Sequence, residues 1–329
     1  MIISQTPLRI SFAGGGTDLP SFYQHEDGWV ISSAIDKYVF VIVKERFDDK
    51  IYINYSKKEI VDSVDEIEHD LVREAMRRTG VDKGVEITTL ADIPSTGSGL
   101  GSSSSVTVGL LNAFYAYRGE LVTAERLASE ACEIEIDILG KPIGKQDQYI
   151  AAYGGICFFQ FKSNEEVMVE RINLNNSHKR KFGSNLLLFF TGKTRSSDRI
   201  LSEQNQNSKH NFDVLKKMKY QAAEIRDCVY ANQLDRIGRI LAESWDNKKK
   251  LASQITSSEI DDMYNRAIQA GALGGKISGA GGGGFLLIYC PRENQHKIRD
   301  ALKEFREFPF FLERYGSKII FNMGRYEWK

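Results

Sequence analysis

The sequence predicts a mixed α and β fold in two parts, and three observations carry that prediction. Stretches of period-two and of helical periodicity alternate along both halves of the chain. Three glycine-rich breaks interrupt them, at 13–16, 97–101 and 271–284, the last holding eight glycines in fourteen residues. The length of 329 residues exceeds the ~100–200 residues typical of one domain.

The elements follow in order. Leu8, Ile10 and Phe12 alternate with Arg9 and Ser11, a half-buried strand that stops at Ala13-Gly14-Gly15-Gly16. YVFVIVKER at 38–46 and IYINY at 51–55 are rich in β-branched and aromatic residues and read as further strands. Ile67, Leu71, Ala75 and Met76 recur at helical spacing over 66–79, and Gly80 ends that helix. A strand at 85–90 leads into a Gly/Ser loop and then a helix carrying Val106, Leu110 and Phe114 on one face. A helix over 123–139 and strands near 155–161 and 186–191 follow. In the second half, 197–230, 234–251 and 257–270 read as amphipathic helices. A strand at 285–289, a helix over 293–305 and a strand near 319–323 close the chain. The junction between halves is expected near 179–184.

Composition removes several function classes. Hydrophobic residues make up 42% and charged residues 27%, the balance of an ordinary soluble globular protein. The 44 Lys+Arg cancel the 44 Asp+Glu, so the basic excess of a nucleic-acid binder is missing. No apolar run reaches the ~18 residues that span a bilayer. MIISQTPLRISF does not read as a signal peptide. Cys132, Cys157, Cys228 and Cys290 form no CxxC pair and the five histidines are scattered, which fits reduced thiols in the cytoplasm and no metal scaffold.

The Gly97-Ser98-Gly99-Leu100-Gly101-Ser102-Ser103-Ser104-Ser105 segment sits between a strand and a helix. Its glycines let backbone N–H groups close on a ligand, and the helix start adds unpaired N–H groups and a positive dipole end. Together these suit a triphosphate, although the same loop alone also suits a serine cap on an ordinary helix. The loop has no lysine, so it is not a Walker A loop, and its GxGxG spacing is not the dinucleotide GxGxxG. The other two breaks, TPLRISFAGGGTDLP at 6–20 and KISGAGGGG at 276–284, read as ligand approaches or as tight turns.

In this order the three segments resemble the three motifs of the GHMP kinases, the family of galactokinase, homoserine kinase, mevalonate kinase and phosphomevalonate kinase. Motif one lies at 6–20, motif two at 93–105 and motif three at 276–284. Within the family, RISFAGGGTDLPSFY at 9–23 and GLGSSSSVTVGLLNAF at 99–114 are most similar to the D-glycero-D-manno-heptose 7-phosphate kinases. Galactokinases carry a Glu-His pair where this chain has Gly15-Gly16. The resemblance implies an α+β, two-domain fold. A ribosomal protein S5 domain 2-like, ATP-binding N-terminal domain would span 1–180, and a ferredoxin-like α+β C-terminal domain 181–329. It implies ATP and Mg²⁺ as cofactors and a small-molecule sugar phosphate as substrate, with no nucleic-acid or membrane partner and a homodimer left open. The implied reaction phosphorylates the anomeric C1 hydroxyl of heptose 7-phosphate, in a bacterial route to nucleotide-activated heptose for surface polysaccharide. The alternatives are a kinase for fucose or an N-acetylhexosamine, or a non-catalytic ATP- and sugar-binding sensor.

The resemblance also distributes roles. Asp147, in Gly144-Lys145-Gln146-Asp147-Gln148-Tyr149, would orient the attacking hydroxyl and take its proton, with Arg9 beside it offsetting charge on the transferring group. Gly97, Gly99, Leu100, Gly101, Ser102, Ser103 and Ser104 would hold the nucleotide phosphates. Ser103 with a carboxylate from the next helix would bind Mg²⁺. That helix offers Glu130, Glu133, Glu135 and Asp137, and the resemblance favours Glu135. Gly15, Gly16, Thr17 and Asp18 would meet the sugar, and Gly279, Gly281 and Gly282 would shape the pocket floor. For the acceptor's own phosphate, TGKTRSSDR at 191–199 offers a helix start with Lys193 and Arg195, the latter as the fork-shaped donor; the same residues also read as a serine cap with solvated cations.

Overall fold

The computed structural model describes residues 1–93, 97–194 and 197–323. In its first half, β1 (Ile2–Ala13) ends in a turn and the short α1 (Pro20–Tyr23), and β2 (Gly28–Glu45), β3 (Ile51–Asn54) and β4 (Lys58–Val61) follow. Next come α2 (Asp70–Thr79), β5 (Val85–Ala91), α3 (Ser102–Tyr117) and α4 (Ala124–Cys132), then α5 (Gln146–Tyr153), β6 (Ile156–Phe161) and β7 (Val167–Arg171). The second half holds α6 (Asn176–Ser184), β8 (Leu186–Phe190), α7 (Ser197–Gln206), α8 (Phe212–Tyr230), α9 (Leu234–Lys248) and α10 (Ser258–Gln269). It continues through β9 (Gly274–Ile277), β10 (Phe285–Tyr289), α11 (Gln295–Ala301) and β11 (Lys318–Asn322).

Two sheets result. The large one runs β11-β1-β2-β5-β3-β4, with β6 and β7 attached through β2. The length of β2 makes this branching possible, since residues 28–33 pair with β6 and 39–45 with β5. The small sheet runs β8-β10-β9, all antiparallel. Residues 306–308 lie along the free edge of β8, through a Phe189–Glu307 bridge and the Phe308 N–H on the Leu188 carbonyl. Numbered in chain order, these four segments lie 4-1-3-2, the ferredoxin-like arrangement.

Several expectations change. β1 is not half-buried: from Thr6 to Ala13 both faces are covered, because α3 packs on one and α8 and α9 on the other. The expected helix over 197–230 is two helices, parted at 207–211 by NSKHN, in which all but Lys209 have weak helix propensity. The expected helix over 123–139 is α4 followed by a π-helical turn, Glu133–Ile138. β9 forms inside the third glycine-rich run. The last strand does not close the second half: β11 returns to the large sheet beside β1. No helix among the described residues is long and apolar enough to cross a membrane.

Candidate active site

The glycine loop after β5 is built for backbone approach. Gly97, Gly99 and Gly101 all take positive φ, at 72°, 71° and 76°. The loop is moored at its back, where the Arg9 N–H of β1 donates to the Leu100 carbonyl at 3.0 Å. Gly101 is the N-cap of α3 and brings no side-chain cap, so the helix start faces the cleft with its dipole uncompensated by a side chain there. The serines divide the work. Ser105 Oγ donates to the Pro7 carbonyl at 2.8 Å, tying α3 to β1. Ser103 and Ser104 turn their hydroxyls to Glu135 instead, at 2.7 and 2.8 Å.

Glu135 is fully buried and also accepts from Gln148 Nε2 at 2.7 Å, with Lys141 Nζ 3.9 Å away. Burial pushes its carboxyl above the ordinary value, opposed by Lys141 and the three hydrogen bonds. The other acids of this stretch face elsewhere: Glu130 binds the Tyr115 hydroxyl, Glu133 pairs with Arg78, and Asp137 is exposed. The π-helical turn re-aims Glu135 toward α3 in a way that α-helical spacing does not predict.

Arg9 and Asp147 form a two-pronged pair. Arg9 Nε donates to Oδ1 at 2.7 Å and Nη2 to Oδ2 at 2.6 Å, while Nη1 reaches the Gly99 carbonyl at 2.5 Å. One guanidinium thus joins β1, the glycine loop and the first turn of α5, with only 4% of Arg9 exposed. Asp18 lies in the turn after β1 and accepts from the Gly16 and Gln146 N–H groups at 2.9 and 3.2 Å. Burial raises its carboxyl pKa, the Gly16 hydrogen bond opposes this, and the neighbouring Asp147 charge adds to the rise. Gly144 makes room for Asp18, since a Cβ there would lie 2.0 Å from Asp18 Oδ2.

Except for Glu135, which is wholly buried behind Ser103 and Ser104, these groups line a cleft of about 460 Å³ that both halves share. The third glycine run crosses the second backbone to backbone: a Cβ on Gly279 would lie 2.6 Å from the Gly99 Cα. Gly15, Gly16, Gly279 and Gly281 line the cleft, as do Ser102, Ser103 and Ser104. Besides Glu135, three residues expected at the ligand do not line it. Thr17 is buried, its hydroxyl donating to the Gly14 and Trp29 carbonyls at 2.8 and 3.0 Å, so it pins the turn. The Leu100 side chain lies in the core. Gly282 gives its N–H to the Ile255 carbonyl at 2.7 Å. Arg195 lies outside the described residues, and Lys193 is paired with Glu259 at 2.8 Å.

Among the cleft residues that sequence reading missed are Lys248 at the end of α9, Gln204 on α7 and Lys141, with the buried Lys276 behind Lys248. Lys248 opens a Lys-Lys-Lys run that reads as a solvated helix end, and nothing in the sequence signals that its first member turns inward. A larger surface concavity of about 1260 Å³, bordered by Arg180, Arg239 and Arg292, shares no residue with the cleft.

Comparisons with known proteins bear on the family and the fold. Residues 69–155 match the GHMP kinases N terminal domain and residues 225–307 the GHMP kinases C terminal domain. The chain is 30% identical over 322 residues to a D-glycero-alpha-D-manno-heptose 7-phosphate kinase of Campylobacter jejuni, covering 92% of this chain and 93% of that one. It is 26% identical to an L-fucokinase/L-fucose-1-P guanylyltransferase of Bacteroides fragilis, over 91% of this chain but 35% of the other. Among solved structures, a D-glycero-D-manno-heptose 1-phosphate kinase from Bacteroides thetaiotaomicron superposes with a TM-score of 0.83 at 27% identity, covering 98% of this chain and all of the other. Streptococcus pneumoniae phosphomevalonate kinase shares the fold, with a TM-score of 0.78 at 14% identity over 97% of this chain and 100% of that one. With two matched domains and a relative that spans nearly the whole of both chains, the chain belongs to the GHMP kinases, ATP-dependent phosphotransferases that act on an alcohol acceptor.

Proposed function

We propose that this kinase transfers the γ-phosphoryl group of ATP to the anomeric hydroxyl of D-glycero-D-manno-heptose 7-phosphate, giving the 1,7-bisphosphate. The observation that carries the chemistry is the Arg9–Asp147 fork, aimed into the cleft beside the uncapped start of α3. In the step, Asp147 takes the hydroxyl proton as the hydroxyl oxygen forms its bond to the γ-phosphorus. The bond from that phosphorus to the β,γ-bridging oxygen breaks, and its electron pair leaves with ADP. Arg9 keeps the carboxylate in plane and stabilises charge on the transferring group. Asp18, held by two backbone N–H groups, accepts from sugar hydroxyls.

The family implies Mg²⁺, and two hard oxygen donors are at hand, Ser103 lining the cleft and Glu135 buried directly behind it. The Ser103 hydroxyl and the Glu135 carboxylate are hard oxygen ligands already 2.7 Å apart at the start of α3. They would hold the ion, whose charge would neutralise the triphosphate.

The heptose assignment is supported by the Campylobacter jejuni relative and by the shared phrases at 9–23 and 99–114. Other relatives' names add fucose and heptose 1-phosphate as competing acceptors, and an N-acetylhexosamine is the remaining alternative from the sequence. An ADP-release screen should therefore offer heptose 7-phosphate, heptose 1-phosphate, free heptose, fucose and an N-acetylhexosamine. Heptose 7-phosphate should lead in kcat/KM by about tenfold or more, the scale of discrimination that pocket contacts supply. Equal rates on free heptose and its 7-phosphate would remove the dedicated phosphate site, and a faster rate on fucose would transfer the assignment to that sugar.

A further inference from the structure

Lys248 is the last residue of α9 and only 6% exposed, yet it lines the cleft. Its Nζ donates to the Gly279 carbonyl, and among the described residues no carboxylate stands within ion-pair distance of it. An ammonium has three N–H donors, and one is accounted for. A buried cation without a counter-ion is costly, because desolvation is not repaid by a partner. The cost is understandable where a ligand brings the negative charge. The C-terminal end of α9 favours a cation at this position and holds it on a rigid element.

The surroundings say which part of the reaction it meets. Gly279, which Lys248 holds, is the residue pressed against Gly99, so the ammonium stands where the second and third glycine runs cross. The charged groups facing it come from four elements: Arg9 on β1, Asp18 in the turn after it, Asp147 on α5 and Lys276 on β9. Lys276 cannot play the same part. It gives its Nζ to the Phe12 carbonyl at 3.2 Å, does not line the cleft, and burial pushes its pKa well below the ordinary lysine value.

We propose that Lys248 is a second catalytic cation, binding oxygens of the γ-phosphoryl group and stabilising its charge during transfer. The inference rests on phosphoryl transfer in this cleft and not on which sugar accepts. ADP release by the unaltered enzyme tests that reading separately. Burial and the like charge of Arg9 lower the lysine pKa to about 8, offset by Asp18 and Asp147. The protonated form is the active one. In the unaltered enzyme kcat/KM should therefore fall as pH rises through about 8.

Lys248→Met should lower kcat by about 10²–10³-fold, the usual loss when one transition-state donor is removed. KM for ATP and for acceptor should stay near their original values, and the alkaline limb should vanish. Lys248→Arg keeps a fixed charge and covers the case in which the methionine variant does not fold. It should retain more activity than methionine and also lose the alkaline limb, since guanidinium does not titrate in this range. If Lys248 merely straps the Gly279 loop, the melting temperature falls while kcat and the alkaline limb survive, and the proposal is overturned. An alkaline limb that persists in both variants overturns it equally.

Discussion

Both oxygens of Asp147 are occupied by Arg9, at 2.7 and 2.6 Å, which fixes the carboxylate in one plane. Asparagine would keep the volume but set an NH₂ donor against one of the arginine's own donors. It would also lack the basicity to take a proton. Asp147→Asn should therefore lower kcat by about 10²–10⁴-fold. ATP affinity should change little, because the loop and the α3 start are held mainly by Leu100, Ser105 and their partners on β1. Single-turnover rates and an ATP titration check this, and near-normal turnover would reduce Asp147 to a structural partner of Arg9. At this scale the residues of GKQDQY alone leave Asp147 open between a helix-end residue and a base, and only the family resemblance separates the two. The sequence is mute where orientation decides. Nothing in AGGGTDL distinguishes Thr17, which points into the turn, from Asp18, which faces the cleft.

Between elements, the decisive contact is one glycine on another. Gly279 has φ 69° and Gly99 φ 71°, conformations that cost an ordinary residue about 1–2 kcal/mol each. At Gly279 an added Cβ would also meet backbone at 2.6 Å, which no side-chain rotation relieves. Gly279→Ala should push the third run off the second and widen the cleft at the phosphates. We expect weaker ATP binding and a lower melting temperature together, measured by calorimetric titration and thermal unfolding. An alanine variant with unchanged ATP affinity would show that the crossing does not shape the nucleotide site. The glycine density at 271–284 makes a close approach legible, but not what approaches. The partner is 180 residues away in the chain, and a strand, β9, starts within the run itself. The first part of β2 was unreadable for a related reason. GWVISSAIDK is buried on both faces over residues 30–35, yet carries Ser32 and Ser33 among its apolar residues, so neither a period-two signal nor a continuous apolar run remains.

The whole molecule has two sheets and two buried clusters, and the larger cluster spans both halves while the smaller, around Trp245, Met263 and Ile298, lies almost wholly in the second. Ala222 and Ile225 of α8, Ile237 and Leu241 of α9 and Leu287 of β10 belong to the same buried cluster as Leu8, Phe12 and Val41 of the large sheet. Phe12 and Phe182 meet with ring centroids 5.2 Å apart, and β11 brings the end of the chain back to β1. The pattern of periodicities foretold two mixed halves, but it carries no information on what covers the second face of β1. That face is closed by helices more than 200 residues later. Domains that merely touch unfold separately, whereas elements that share a core unfold together. We therefore expect one cooperative thermal transition for the full chain, with calorimetric and van't Hoff enthalpies in agreement. A fragment of residues 1–180 would lose the cover of α8 and α9 and leave the β1 edge without β11. It should show no cooperative transition of its own. Two resolved transitions in the full chain, with the fragment reproducing one of them, would mean that the shared cluster is a contact surface between two independent folding units.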